Sequence, residues 1–261
     1  MENLYVIKIG GHIIDEDEKL SSFLKDFAQI PEKKILIHGG GKLATKLADQ
    51  LGIQQKLIDG RRITDIETLK IVTMVYAGYV NKNIVARLQS QKCNTIGLSG
   101  ADANIIQAHK RIHPTTDYGF VGDIDAVNAE PLTQFINSGL TPVIAPITCD
   151  DKGQLLNTNA DTIAQEIAKA MSKHYAVQLI YSFEKSGVLL DASDDATVIP
   201  SINQLYYSTL KEEKKIFAGM IPKIDNAFAA LNSGVREVII GKAEELHNLI
   251  NHSAGTKITH E

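Results

Sequence analysis

A short β-branched and aromatic run, Leu4 to Ile9, ends directly on Gly10-Gly11, and a second, Ile35-Leu36-Ile37, ends on His38-Gly39-Gly40-Gly41. Between them Leu20, Phe23, Leu24, Phe27 and Ile30 recur at three- and four-residue steps, the spacing of one helix face. After the second turn Leu43, Leu47 and Leu51 lie on one helical face, with Gly52 as a stop signal. A chain that opens strand, helix, strand, helix, with strands apolar on both faces, builds a mainly parallel sheet covered by helices on each side. The predicted fold is α/β: a three-layer αβα sandwich around a central, mainly parallel open sheet, two lobes in one domain. The lobe boundary is placed near residue 170, giving 1–170 and 171–261.

Thr64-Asp65-Ile66-Glu67 has the Ser/Thr-x-x-Glu form of a capping box. The pattern it opens runs to about Gln91, through Leu69, Val72, Tyr76, Tyr79, Val80, Ile84 and Leu88. Its apolar residues fall on more than one side. Burial within one chain and sharing with a partner both produce that pattern; the expectation is a homodimer contact through 65–91. Further apolar runs follow at Thr95 to Leu98, Ile105 to Ala108 and Pro142 to Ile147. His113 to Glu130, rich in Gly, Asp and Thr, reads as a hairpin or flap. Asn159 to Met171 reads as a helix, Ala176 to Tyr181 and Val188 to Leu190 as strands, and Lys223 to Leu231 as a helix. Val238 to Gly241 is a strand, Glu244 to Leu249 a helix, and Lys257-Ile258 a terminal strand.

With 261 residues, 44% of them hydrophobic, the chain can bury a full core, which excludes disorder and a disulfide-stapled miniprotein. The formal net charge is −4, from 27 basic and 31 acidic residues, and the basic ones are dispersed. No footprint for nucleic acid or an anionic membrane results. Cys93 and Cys149 sit in no metal or redox spacing, which points to a reduced, cytoplasmic setting. Met1 to Gly11 lack a basic start, a long apolar stretch and a cleavage site, so no leader is expected, and no run approaches the ~18–20 apolar residues of a membrane span. The histidines make no H-E-x-x-H spacing, and His109/His113 fit a strand or loop edge. No G-x-S-x-G elbow occurs. Asp191, Asp194 and Asp195 read as a solvated loop, so no metal site is expected.

The chemistry is left to the glycine turns and the lysines near them. Glycine after a strand lets backbone N–H groups approach an anion, and a following helix N-terminus adds partial positive charge. Lys8 points a full charge at the same end of the sheet. The P-loop pattern fails, because Leu43 follows Gly41-Lys42. The dinucleotide fingerprint is formally met by Gly39, Gly41 and Ala44 with Asp59 further on, but on the second strand. Asn157-Thr158-Asn159-Ala160-Asp161 opens a helix with more polar side chains than capping needs. Lys223, in Gly219-Met220-Ile221-Pro222-Lys223, stands just inside a helix start, where the dipole disfavours a cation.

In their order and spacing these segments, with Gly60-Arg61-Arg62-Ile63-Thr64, resemble the amino acid kinase family over nearly the whole chain, from Tyr5 to about Ile258. Within the family they are most similar to members that phosphorylate an N-acylated glutamate. Aspartokinases differ in continuing the first turn through Thr-Ser, where His12-Ile13 stands here. The resemblance implies transfer of the ATP γ-phosphoryl group, with Mg²⁺, to the side-chain carboxylate of an N-acyl-L-glutamate in arginine biosynthesis. N-acetylglutamate is the first expectation and an N-succinyl or other amino-acid carboxylate the alternative; from a different class, a non-catalytic binding regulator is the competing reading.

By position, Lys8 and Lys223 would stabilise the migrating phosphoryl group and Asp161 would orient them. Backbone N–H groups of Gly10, Gly11, Gly40 and Gly41 would receive phosphoryl or acceptor oxygens. Arg62 would grip the α-carboxylate, and Asn157 and Asn159 would bind the acylated amino acid. The nucleotide would lie near Glu184, Lys185, Ser186, Gly187, Val188 and Leu189 and near Lys215, Ile216 and Phe217. There the chain departs from the family's usual Asp-Val-x-Gly, reading Phe183-Glu184-Lys185-Ser186-Gly187. The Gly119 to Asp125 flap is the natural place for acyl choice. Arginine-inhibited relatives carry an extra N-terminal helix; with the first strand starting near Leu4, an arginine-insensitive homodimer is expected.

Overall fold

The computed structural model describes residues 1–58, 61–191, 193–216 and 220–260. The first half of the chain runs β1 (Asn3–Ile9), α1 (Gly11–Asp15), α2 (Asp17–Gln29), β2 (Lys33–Ile37), α3 (Gly41–Gln50), β3 (Leu57–Ile58) and β4 (Arg61–Arg62). One long helix follows, α4 (Ile66–Thr73), a π-helical stretch (Met74–Val80) and α5 (Asn81–Ser90), then β5 (Thr95–Ser99), β6 (Ile106–Lys110), β7 (Gly122–Val127) and α6 (Ala129–Asn137). Next come β8 (Thr141–Ala145), β9 (Ile147–Cys149), β10 (Leu155–Asn157), α7 (Ala160–Met171) and β11 (Ala176–Phe183). The chain closes with β12 (Ser201–Ile202), α8 (Gln204–Glu212), α9 (Ile221–Asn232), β13 (Glu237–Lys242), α10 (Leu246–Ile250) and β14 (Thr256–Ile258).

The main sheet has eight strands in the order β12-β14-β13-β11-β1-β2-β8-β5. All neighbours are parallel except β13 and β14. Strand alternation sorts the core into two layers. Leu4, Val6, Ile35 and Ile37 pack with α6, α7, α8 and α9 on one face. Tyr5, Ile7, Ile9 and Leu36 pack with α1, α2, α3, the long helix and α10 on the other. The expected αβα sandwich is therefore the fold. The face with α7 and α9 is one core that crosses residue 170 without interruption. A smaller sheet, β10-β9-β6-β7, stands beyond the C-terminal end of β8.

Several local expectations are corrected. Asp65 is the N-cap of α4, its Oδ1 accepting from Thr68 N at 2.8 Å; Thr64, one residue earlier, is left free for another contact. Val188 to Leu190 is not a strand: Val188 N donates to the Thr256 hydroxyl at 2.8 Å, and only an isolated bridge joins Leu189 to Val198. Pro142 to Ile147 divides at Pro146 into β8 and β9. The flap contains β7, antiparallel to β6, and leads into α6, whose Pro131 is tolerated in the first turn.

Candidate active site

Alternation along β1 decides where Lys8 goes. With Leu4 and Val6 on the α7/α9 face, Lys8 shares that face at the C-terminal end of the strand, paired between Ile37 of β2 and Tyr181 of β11. Asp161 stands in the first turn of α7, whose N-cap Asn159 accepts from Asp161 N at 2.8 Å and Thr162 N at 3.1 Å. Lys223 lies in the first turn of α9. The three side chains meet: Lys8 Nζ is 2.7 Å from Asp161 Oδ1, and Lys223 Nζ donates to Oδ2 at 2.7 Å. They are 11%, 16% and 22% exposed for Lys8, Asp161 and Lys223. Burial works against ionising Asp161, but the two ammonium groups outweigh it and hold the carboxyl well below the usual range. Two positive charges share one negative charge at the mouth of a parallel sheet, leaving the cluster a net cation. The Tyr181 hydroxyl donates to the Asp161 carbonyl at 3.2 Å and steadies the helix start.

Beside this cluster a cleft of about 980 Å³ opens over the turn after β2. Gly39, Gly40 and Gly41 line one wall, Asn157 to Ala160 another. Gly40 has φ +144°, and a Cβ there would stand 3.1 Å from the Tyr76 ring, so the turn needs glycine. Arg62 reaches across from β4: Nη2 donates to Gly41 O at 2.9 Å and to Thr45 Oγ1 at 2.8 Å, and Nη1 donates to Gln55. Asn157 Nδ2 donates to the Thr64 hydroxyl at 3.0 Å, which ties α7's approach to the segment carrying Arg62. Gly119 makes this possible, since a Cβ there would lie 2.2 Å from Thr64 O. Lys42, Lys46, Arg62 and Arg111 line the cleft against Asp49, a positive balance suited to an anionic guest.

Sequence reasoning missed Thr45, Tyr76 and Arg111. Arg111 directly follows β6, just before the flap, its Nε 3.0 and 3.1 Å from the two Asp123 oxygens and its guanidinium over the Tyr118 ring. Thr45 follows Gly41 by one helical turn, a spacing that places a polar side chain beside the glycines and was the one available signal. Asn159, expected at the substrate, lines the cleft while its oxygen caps α7. Thr158 is buried and bonds Thr148 at 2.8 Å.

The remaining expected residues are more dispersed. Gly10 N donates to Ser182 O at 2.8 Å, so its amide continues the sheet, and a Cβ there would lie 3.2 Å from Phe183. Gly11 begins α1. Glu184 is exposed; Lys185 lies 3.9 Å from Asp195, and Ser186 donates to the same carboxylate at 3.2 Å. Gly187, Val188 and Leu189 turn into the core, as does Ile216, while Lys215 is exposed and pairs with Glu213 at 2.8 Å. Asp59, Gly60, Phe217 and Gly219 lie outside the described residues. Among the described residues no three His, Cys, Asp or Glu side chains gather to hold a metal ion. The Asp161 carboxylate is already held by two lysines, so the described donor set does not fit a resident metal.

A mainly parallel αβα sheet with a lysine-aspartate-lysine cluster at its C-terminal edge and a cationic cleft beside it defines an α/β phosphotransferase architecture. Residues 3–242 match the amino acid kinase family, and the chain belongs to it. It is 56% identical to the acetylglutamate kinase of Cytophaga hutchinsonii over 99% of each chain. It is 55% identical to the acetylglutamate kinase of Parabacteroides distasonis, covering 95% of this chain and 97% of that one. Among solved structures, smu.665 from Streptococcus mutans UA159 superposes with a TM-score of 0.81 at 28% identity, over 99% of both chains.

Proposed function

We propose that this chain transfers the γ-phosphoryl group of ATP to the γ-carboxylate of an N-acyl-L-glutamate, N-acetyl-L-glutamate first, as a step of arginine biosynthesis. The observation that carries the reading is the Lys8–Asp161–Lys223 cluster beside a cleft lined by Arg62. The names of relatives more than half identical to it support the acceptor.

The acceptor carboxylate has an ordinary pKa near 4.3 and arrives ionised at neutral pH, so no general base is needed. One carboxylate oxygen attacks the γ-phosphorus, the bond to the β,γ-bridging oxygen breaks, and ADP leaves with that electron pair. Such a step asks for alignment and charge neutralisation. Lys8 and Lys223 supply the positive charge at the migrating group, and Asp161 fixes their positions. Arg62 takes the α-carboxylate with its planar fork. Asn157, with Asn159 nearby, binds the acylated amino acid: Asn157 Oδ1 is left to accept its amide N–H, and Asn159, whose oxygen caps α7, has its NH₂ to donate. The N–H groups of Gly40 and Gly41 take acceptor or phosphoryl oxygens. Magnesium belongs to the substrate, as the counter-ion of ATP. Residues 1–170 hold the acceptor, and residues 171–261 hold the nucleotide, with Gly10 and Gly11 at their junction and Glu184 to Leu189, Lys215 and Ile216 around it. On this reading the chain is a cytoplasmic enzyme acting on small molecules.

Incubation with Mg-ATP and trapping of acyl phosphate by hydroxylamine tests the reading across N-acetylglutamate, N-succinylglutamate, glutamate and aspartate. Product with an N-acylated glutamate supports it; product from no acceptor with a folded protein overturns it and favours a binding regulator. Arg62→Ala is expected to raise the acceptor KM roughly tenfold to a hundredfold, the loss of one or two charged hydrogen bonds, with the ATP KM unchanged. An unchanged acceptor KM would remove Arg62 from this role.

The long helix also supports a homodimer. Ile66, Met74 and Tyr79 stand 47%, 55% and 66% exposed on it. Lone exposed apolar residues are ordinary, but three large ones on one helix favour a covered surface. Light scattering is expected to give twice the chain mass, and Met74→Glu combined with Tyr79→Glu to give the single-chain mass. A wild-type monomer at micromolar concentration would refute the contact.

A further inference from the structure

Beneath the glycine turn lies a buried polar cluster to which the proposed chemistry assigns no work. His38 is fully buried at the end of β2, and Asn81, 1% exposed, begins α5. Asn81 Nδ2 lies 2.9 Å from Val143 O of β8 and 3.1 Å from His38 Nε2. Its Oδ1 takes Lys82 Nζ at 3.2 Å, and the same ammonium donates to Gly97 O of β5 at 2.9 Å. Gly97 leaves the room for this, since a Cβ there would lie 2.1 Å from Asn81 Oδ1.

These partners fix every proton. A backbone carbonyl can only accept and an ammonium can only donate, so the Asn81 amide has one possible orientation. Its NH₂ therefore donates to His38 Nε2, which makes Nε2 the acceptor and puts the ring proton on Nδ1. Nδ1 lies 2.8 Å from Gly39 O and donates to it. In a trans peptide the C=O and the following N–H point in opposite directions. A Gly39 carbonyl drawn down to the imidazole therefore turns the Gly40 N–H up, toward the cleft that Gly39 to Gly41 line. Gly40 N–H has no backbone acceptor among the described residues.

We propose that His38 and Asn81 are positioning residues: their tautomer-locked network aims the Gly40 N–H at the anion bound over the turn. Burial, with a smaller push from nearby Lys82, keeps the ring neutral by lowering its pKa to about 4 against the opposing Gly39 bond. The ring therefore keeps one donor and one acceptor at neutral pH. Preorganised backbone donors of this kind act on developing charge without reorganising at the moment of reaction.

The inference rests on the kinase reading, and its test separates the two. Asparagine at position 38 places an N–H donor as many bonds from Cβ as Nδ1, whereas glutamine places its amide near the Nε2 position. His38→Leu and His38→Gln are expected to lower kcat about a hundredfold with the ATP KM unchanged, and His38→Asn to recover to within about tenfold of wild type. A residue that served only the fold would lower thermal stability in all three variants alike and leave kcat of the folded fraction intact. Nitrogen-15 spectra of the wild-type histidine rings are expected to show His38 as the Nδ1–H tautomer throughout neutral pH, a reading independent of turnover. An Nε2–H tautomer, equal losses in the Asn and Gln variants, or a folded Leu variant within about threefold of wild-type kcat would overturn the proposal. Wild-type protein that makes no acyl phosphate would overturn the kinase reading and leave the tautomer result standing.

Discussion

Asp161→Ala is expected to lower turnover by about two to three orders of magnitude, the range for loss of a preorganised electrostatic element. The carboxylate holds two ammonium groups at 2.7 Å each, one from the first strand and one from α9. Without it those charges repel each other, and Lys223 faces the positive end of its own helix uncompensated. Both lysines keep some exposure, so they swing toward water and leave the phosphoryl position. The stability loss is expected at roughly 2–4 kcal/mol, toward the low end for broken buried pairs because the ammonium groups retain a path to solvent. Hydroxylamine trapping and urea unfolding read the two effects separately; a folded variant within about tenfold of wild-type turnover would remove Asp161 from the machinery.

The same carboxylate gives a pH signature. Its folded pKa lies below the ordinary value of 3.8, so between the two the unfolded chain binds more protons than the folded one. The stabilisation is complete above the ordinary value and is lost as pH falls from there through the folded pKa. Asp161→Asn is expected to flatten this part of the acid unfolding curve, and an unchanged curve would contradict the coupling to the lysines.

Lys8→Ala is expected to lower kcat about a hundredfold or more while the acceptor KM stays within about twofold, because the grip on the acceptor belongs to Arg62. Lys8 stands one residue before the end of a strand buried on both faces, and Leu4 and Val6 fix its direction as strictly as its own contacts do. Arginine should not rescue it: a longer, planar guanidinium does not reproduce the compact ammonium that stands 2.7 Å from Asp161 Oδ1. Near-normal turnover in Lys8→Ala would end its assignment.

How much of this was legible follows from the kind of signal each element carries. β1, β2, α2, α3 and α7 announce themselves through strict periodicity and glycine stops. α8 does not, because Leu205 and Tyr206 are exposed beside buried Tyr207 and Leu210 and blur the apolar face. Strand alternation alone places Lys8 with Leu4 and Val6. Its meeting with Asp161 and Lys223 joins residues far apart in the chain, which no local pattern reports; that pairing was expected only from the family resemblance. Thr64-Asp65 offers two capping residues in succession, and only the structure distinguishes the cap from the residue that greets Asn157. Arg111 sits in a polar hairpin where one basic side chain resembles its neighbours until the Asp123 and Tyr118 contacts select it.

The position of β1 also bears on how the chain comes to exist. Once made, β1 has a partner in β2 within a few dozen residues, but its other edge waits for β11. Through that interval a flat, apolar edge stands open to any passing strand. The charge cluster, which draws on residues near both ends, forms only after α9 has been made. A shortened product of translation therefore holds the acceptor cleft without the machinery to use it, and selection for rapid closure of that edge bears on the middle of the chain as much as on the site.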